Sequence, residues 1–233
     1  MNKKKKFGFT LGEILIAIVV IGTIAMLILP QLVLGQKAAR AKAQFNTAYS
    51  LLSNSISDME SDDIPLNPAV YESGTKVLAT ELKKYSRISV DCGDFSSRIN
   101  GVSKNSSACF FDNTYKSFSN HAIDLELFDD GGFVMKNGML VETEYGGKGR
   151  GVYVHVDING KSNPPNKWGW DVFSFELVNN DLLPAGAPGT KYSSKENREK
   201  YCKKDSTDNL NGLTCAYFAL YNEKYFKEVY RGF

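Results

Sequence analysis

Between Phe9 and Leu29 the chain carries a single charge, Glu13, in an otherwise apolar run that ends at Pro30. At 1.5 Å per residue a helix of that length spans about 30 Å, the thickness of one hydrocarbon core. Beyond Pro30 the pattern changes. Ala38, Ala41, Phe45, Ala48, Leu52, Ile56 and Met59 recur at steps of three and four, which is the apolar stripe of an amphipathic helix. Lys37, Arg40, Lys42, Gln44, Asn46 and Ser50 lie largely off that stripe. Residues 9–58 are therefore predicted to form one long helix, bent at Pro30 and Gly35. Its first half is apolar all round, and its second half has one face to pack on a globular head.

Ser61, Asp62, Asp63, Pro65 and Pro68 break the helical pattern. Residues 76–85 are expected to form a short helix with Val77, Leu78, Leu82 and Tyr85 inward. Residues 86–120, rich in Ser, Asn and Asp, read as a loop insertion. Strand-like runs follow at 122–128, 132–136, 139–143, 152–156 and 172–177. Asn137-Gly138 between two of them is a strong local hairpin signal, and residues 146–149 read as a loop. The expected fold is α+β: a long N-terminal membrane-spanning helix whose second half packs on an antiparallel meander of about four strands, the two layers sharing one core. From Pro184 the chain is turn-rich, with helices expected near 195–203 and 215–224. The tail aromatics Tyr217, Phe218, Tyr221, Tyr225, Phe226 and Tyr230 should fold back on the sheet, the alternative being an exposed patch for a partner.

Charge and cysteine usage narrow the setting. The 233 residues carry a formal charge of +2, and Lys3, Lys4, Lys5 and Lys6 supply four of the positive charges. Without that block the chain is nearly neutral, so nothing in its balance points to nucleic acid. Lys191, Lys195, Lys200, Lys203 and Lys204 are interleaved with Glu196 and Glu199 and read as a solvated face. The lysines before the apolar run hold that end in the cytoplasm and send the rest outside. Cys92, Cys109, Cys202 and Cys215 then lie in an oxidising compartment. Four cysteines allow three pairings, and short loops favour Cys92–Cys109 with Cys202–Cys215. Metal binding is the rival use, but Cys-x-x-Cys spacing is missing.

The apolar run is too long for a secretory signal, and no A-x-A-type site follows it. A plain signal anchor accounts for the lysines and the length but leaves Glu13 without a role, even with snorkelling to ease its cost. The order of lysines, Gly8, Phe9-Thr10-Leu11, Glu13, a long apolar run and Pro30 resembles the leader of type IV pilins and type II secretion pseudopilins. Gly12 departs from it, since a large aliphatic residue is usual there. The resemblance implies that a prepilin peptidase cuts after Gly8 and methylates Phe9. It also implies that Glu13 acts in assembly and that Pro30 bends the helix. Cleavage would free an amine on Phe9, one turn from Glu13 on the same helix face. In an apolar medium the two charges relieve each other, within one chain or between neighbours. The resemblance favours the second, which would set the register of a fibre.

Residues 157–171 contain Asp157, Asn159, Gly160, Asn163, Asn166, Gly169 and Asp171. Their oxygens suit Ca²⁺, although the loop is not an EF-hand because Gly160 comes too early and Lys161 takes a ligand position. The segment resembles a loop seen in many pilin-like proteins, and some major pseudopilins use a loop Ca²⁺. The candidate ligands are Asp157, Asn159, Asn166 and Asp171, and the alternative is a metal-free turn in which Asx side chains bond the backbone. No hydrolase, phosphate-loop or zinc-protease motif is present. His121 and His155 have no obvious Ser or Cys partner, and His155 is expected to face solvent from its strand, so an enzyme is not expected. The expected organisation is a leader at 1–8, an assembly half-helix at 9–30, an amphipathic half at 31–60 and a head at 61–233. The expected function is a fibre subunit made as a single-pass precursor in the inner membrane, its C-terminus outside, and later held in a periplasmic or surface fibre. Its partners would be itself, related pilin-like subunits, the prepilin peptidase, the inner-membrane assembly machinery and the lipid bilayer before assembly. The alternative is a membrane-anchored binding or adhesion protein that never polymerises.

Overall fold

The computed structural model describes residues 8–72, 77–93, 109, 111–145 and 151–231. The lysine block at 3–6, the expected helix start at Lys76, most of the chain between Cys92 and Cys109, and the expected loop at 146–149 lie outside the described residues.

Helix α1, Leu11–Ser61, runs through Pro30 without interruption. Its buried face is Ala38, Ala41, Phe45, Ala48, Leu52, Ile56 and Met59, joined by Ser55, so the apolar periodicity alone set which side meets the head. Ser55 Oγ donates to the Tyr85 carbonyl at 3.2 Å, tying α1 to helix α3, Leu78–Tyr85. The short helix α2, Pro68–Glu72, precedes it.

Among the described residues the sheet has six strands in sequential order, not about four. They are β1 Ile88–Gly93, β2 Gly132–Met135, β3 Leu140–Tyr145, β4 Val152–Asp157, β5 Val172–Val178 and β6 Asp181–Pro184, every neighbouring pair antiparallel. β1 lies inside the stretch expected to be loop, and β6 ends at the first residue of the expected tail, Pro184. Residues 122–128 are not a strand. The Asp124 carboxylate accepts from the Glu126 N–H at 3.1 Å and caps a short 3-10 turn, Leu125–Leu127. The β2–β3 hairpin forms where Asn137-Gly138 marks it, as a three-residue loop. Gly138 N–H donates to the Met135 carbonyl at 2.9 Å and only Gly138 takes positive φ, at +89°. This is a type I turn closed by a left-handed residue.

The strands alternate, and both faces are covered. Val152, Val154, Val156, Phe173, Phe175 and Leu177 face α1. The Phe45 ring meets Phe173 edge-on at 4.7 Å and Phe175 at 5.9 Å. The opposite face carries Leu140, Tyr153 and Val172 under a second cluster that includes Phe111, Tyr115, Phe128, Trp168 and Tyr201. The head is thus three layers with two cores rather than two layers with one.

Past β6 come α4 Lys195–Lys200, α5 Cys215–Tyr221 and α6 Tyr225–Arg231. α6 was not expected as a separate helix. It packs on α1, with Phe226 5.8 Å from Phe45. The tail aromatics therefore fold inward, except Tyr221, which stays exposed. Both disulfides are those favoured by spacing: Cys92–Cys109 and Cys202–Cys215.

Candidate functional site

Gly8, Phe9 and Thr10 precede α1 as exposed coil, and Phe9 is 84 % accessible. Among the described residues no side chain closes over Gly8. Thr10 is the N-cap. Its hydroxyl accepts from Glu13 N–H at 3.3 Å, while the Glu13 carboxylate accepts from Thr10 N–H at 2.7 Å and from the Thr10 hydroxyl at 2.8 Å. This is a capping box, which satisfies two orphan donors of the helix start. Phe9 consequently lies outside the helix, and the expected one-turn pairing of Phe9 with Glu13 on a shared helix face is not formed here. Glu13 instead reaches back to the peptide N–H one residue after Phe9.

From Leu11 to Val33 the large apolar side chains are exposed, among them Ile16, Ile18, Ile21, Met26 and Leu27. The most apolar stretch of this helix has no buried part. Burying one such side chain is worth about 1.5–3 kcal/mol, so water is an unfavourable surrounding for this surface. By length and composition the helix is sufficient to cross a membrane.

The loop from Asp157 to Asp171 is tied by its own polar groups. Asp157 Oδ1 accepts from the N–H groups of Asn159 (3.2 Å) and Gly160 (2.9 Å), and Oδ2 accepts from the Tyr115 hydroxyl at 2.7 Å. Asp171 Oδ1 accepts from Lys167 N–H at 2.6 Å. Its Oδ2 accepts from Asn166 N–H at 2.9 Å and from Asn159 Nδ2 at 3.3 Å. Asn159 and Asn163 exchange side-chain-to-carbonyl bonds of 2.7 Å in both directions. Gly160, Asn166 and Gly169 all have positive φ. A Cβ on Gly160 would collide with the Gly138 carbonyl, which is why glycine stands there.

This geometry brings Asp157, Asn159, Asn166 and Asp171 together in one hydrogen-bonded loop. Lys161 turns away and pairs with Asp112 at 2.9 Å. Burial pushes Asp157 up to about 6, and burial with the neighbouring Asp157 charge pushes Asp171 up to about 7. The amide oxygens of Asn159 and Asn166 are buried without a donor among the described residues. Two carboxylates held at a cost to their charge, beside two orphan amide oxygens, fit a hard oxygen-ligated cation in kind. The carboxylate oxygens also have protein donors, so the same residues close the loop by Asx bonds alone.

His155 was expected at the surface and is 1 % accessible. The alternation placed it correctly on the face away from α1, but that face is roofed by Phe128 at 4.4 Å and Trp168 at 6.0 Å. It also has a serine partner that the linear sequence hid. Trp168 Nε1–H donates to Ser174 Oγ at 2.8 Å, and Ser174 Oγ lies 2.7 Å from His155 Nδ1. Ser174 Oγ keeps a second lone pair, so the imidazole tautomer sets which partner donates in its bond with Nδ1. Both residues are enclosed, and burial holds His155 neutral, its value lowered to about 3. The pair is a buried hydrogen-bond relay between β4 and β5. A further acidic group, Asp129, Asp130 and Glu144, has carboxylate oxygens all within 4.8 Å of one another. Tyr115, Ser174 and this acidic group were not singled out by the sequence, since the strand register and an aperiodic loop bring them in.

No family model, curated protein or solved structure matches the chain.

Proposed function

We propose that this protein is a subunit of a pilin-like fibre. It is made as a membrane precursor, cut after Gly8 by a prepilin peptidase that methylates Phe9, and assembled with copies of itself and related subunits into a type IV pilus or a type II secretion pseudopilus. One observation carries the reading: α1 is a single helix whose first half exposes apolar side chains on every side and whose second half is a wall of a disulfide-tied head. A subunit moved from lipid into a helical bundle needs both halves on one rigid rod. Transfer between two apolar media yields little hydrophobic free energy, so packing and polar contacts fix the geometry. The exposed coil at Gly8-Phe9, next to the capped helix start, suits access by a peptidase. In this reading Asp157, Asn159, Asn166 and Asp171 hold a Ca²⁺ that neutralises the two raised carboxylates and locks the loop against β4 and β5.

The capping box favours a second reading as well. Glu13 is satisfied within its own chain, which gives it a role in a static anchor that never polymerises. Mass spectrometry of the N-terminal peptide from cells with an active prepilin peptidase separates the two. A peptide that begins at Phe9 with one added methyl group is expected for the fibre subunit. A peptide that still begins at Met1 or Asn2 assigns the plain anchor.

A further inference from the structure

Between Glu13 and Asp58 every charge in the chain is positive: Lys37, Arg40 and Lys42. Lys37 and Arg40 line a groove of about 510 Å³ between α1 and the Asp157–Asp171 loop, with Gln44, Asn163, Trp170 and Tyr230 on its other walls. Neither cation takes part in any ion pair among the described residues. Trp170 lines the same groove, with its Nε1–H turned away from solvent and without an acceptor among the described residues. A third cation, Lys167 Nζ, lies 4.6 Å over the Trp170 ring.

The position of the groove along α1 matters as much as its chemistry. Exposed apolar surface runs to Val33. At 1.5 Å per residue, Lys37 follows about 6 Å later and Arg40 about 10 Å later. A headgroup layer is roughly 5–7 Å deep on each side of the hydrocarbon core, and side chains on a helix lean toward its N-terminus, here toward the bilayer. Trp and Tyr concentrate at this level because one end of each ring system is apolar and the other polar. Two cations and two aromatic walls thus converge at headgroup height.

We propose that this groove binds the headgroup phosphate of an anionic phospholipid and seats the head against the bilayer. The inference rests on the membrane-anchor half of the reading above and is independent of fibre assembly. Lys37 and Arg40 contact the phosphate, and the apolar walls take the glycerol end of the lipid. A zwitterionic headgroup brings an ammonium that the cations repel. Each basic residue near the surface gives about a fivefold preference for anionic lipid, so the pair gives roughly thirtyfold.

The test uses the full chain in mild detergent, offered equal phosphatidylglycerol and phosphatidylcholine and read by native mass spectrometry, with a parallel flotation on phosphatidylcholine vesicles. The expected result is flotation, retention of phosphatidylglycerol in preference to phosphatidylcholine, loss of that preference in K37Q/R40Q, and no change in K195Q/K203Q. Equal retention of both lipids, or unchanged preference in K37Q/R40Q, overturns the groove while leaving the anchor intact. Failure to float overturns the anchor and the groove together. Displacement of the lipid by millimolar inorganic phosphate would make this a general phosphate site and overturn the lipid assignment. A carbodiimide cross-link from Lys37 to a carboxylate of a second copy would assign the groove to a subunit contact instead.

Discussion

Tyr115 donates to the buried carboxylate of Asp157 from a segment with no periodic signal of its own. Removing that hydroxyl leaves a buried acceptor short of one donor, which costs about 1–3 kcal/mol. Tyr115→Phe should lower the urea midpoint of the head accordingly, read by tryptophan fluorescence, and an unchanged midpoint would show that the bond contributes nothing net. Glu144 makes a second prediction at this scale. It is 8 % accessible, and burial together with Asp130 and Asp129 pushes its carboxyl well above the usual range. The folded state therefore holds a proton that the unfolded chain releases near the ordinary value of 4.5. Stability from this group is full below that value and is lost as pH rises through the folded value. In calcium-free buffer Glu144→Gln should flatten the decline of midpoint with rising pH, leaving the declines due to the other raised carboxyls, Asp157 and Asp171 among them, which have the same sign. Superimposable pH profiles for the two proteins would count against it. His155 marks what residue-level reading loses. Period-two alternation says which side of a strand a residue is on, and it cannot say whether a loop distant in sequence covers that side.

At the scale of elements, the long-range signal was plain wherever one face meets one core. The stripe on α1 was legible residue by residue, because a helix of this length samples its burial pattern many times. Phe45 is the centre of that stripe and is fully buried against Phe173, Phe175 and Phe226. Phe45→Ala should cost about 3–5 kcal/mol, whereas exposed Asn46→Ala, one residue on, should stay within about 0.5 kcal/mol. Similar midpoints for the two variants would mean that α1 does not pack as described. The strands β1 and β6 escaped notice for physical reasons. Both are edge strands, β1 with two irregular register steps and β6 four residues long and ending in Pro184. Edges are short and interrupted because that blunts unwanted pairing, and the same interruption weakens the sequence pattern. The error at 122–128 has a local cause too: the Asp124 cap bends the backbone into a turn that weak alternation does not reveal. The disulfides were legible because each closes a short loop, with separations of 17 and 13 residues. Loops of this size contribute about 3 kcal/mol each, so the C202S/C215S variant should lose roughly that amount and loosen α4 from α5.

At the scale of the whole molecule, the two readings of function divide over what Glu13 does. As a cap it serves one helix, and as a charge it would meet the amine of Phe9 on a neighbouring subunit. The two roles can be separated by chemistry. Glutamine at the third helical position still closes a capping box, because its carbonyl accepts from the same N–H. Glu13→Gln therefore keeps the cap and removes the charge. Thr10→Val does the reverse: it removes the capping hydroxyl, at about 1 kcal/mol of helix-end stability, and leaves the carboxylate free to pair. If charge pairing sets the register of a fibre, Glu13→Gln should insert and be cut normally yet yield few fibres in a sheared surface fraction. Thr10→Val should yield them at near wild-type levels. If Glu13 is only a cap, the order reverses, and Glu13→Val should then resemble Thr10→Val. Normal fibre yield from Glu13→Gln would sink the register argument even where cleavage at Gly8 is established, since an uncharged residue would then suffice to align the subunits. The same pair of variants is informative without fibres. A static anchor tolerates both once the helix start lies in the headgroup layer, where water can satisfy the freed N–H groups.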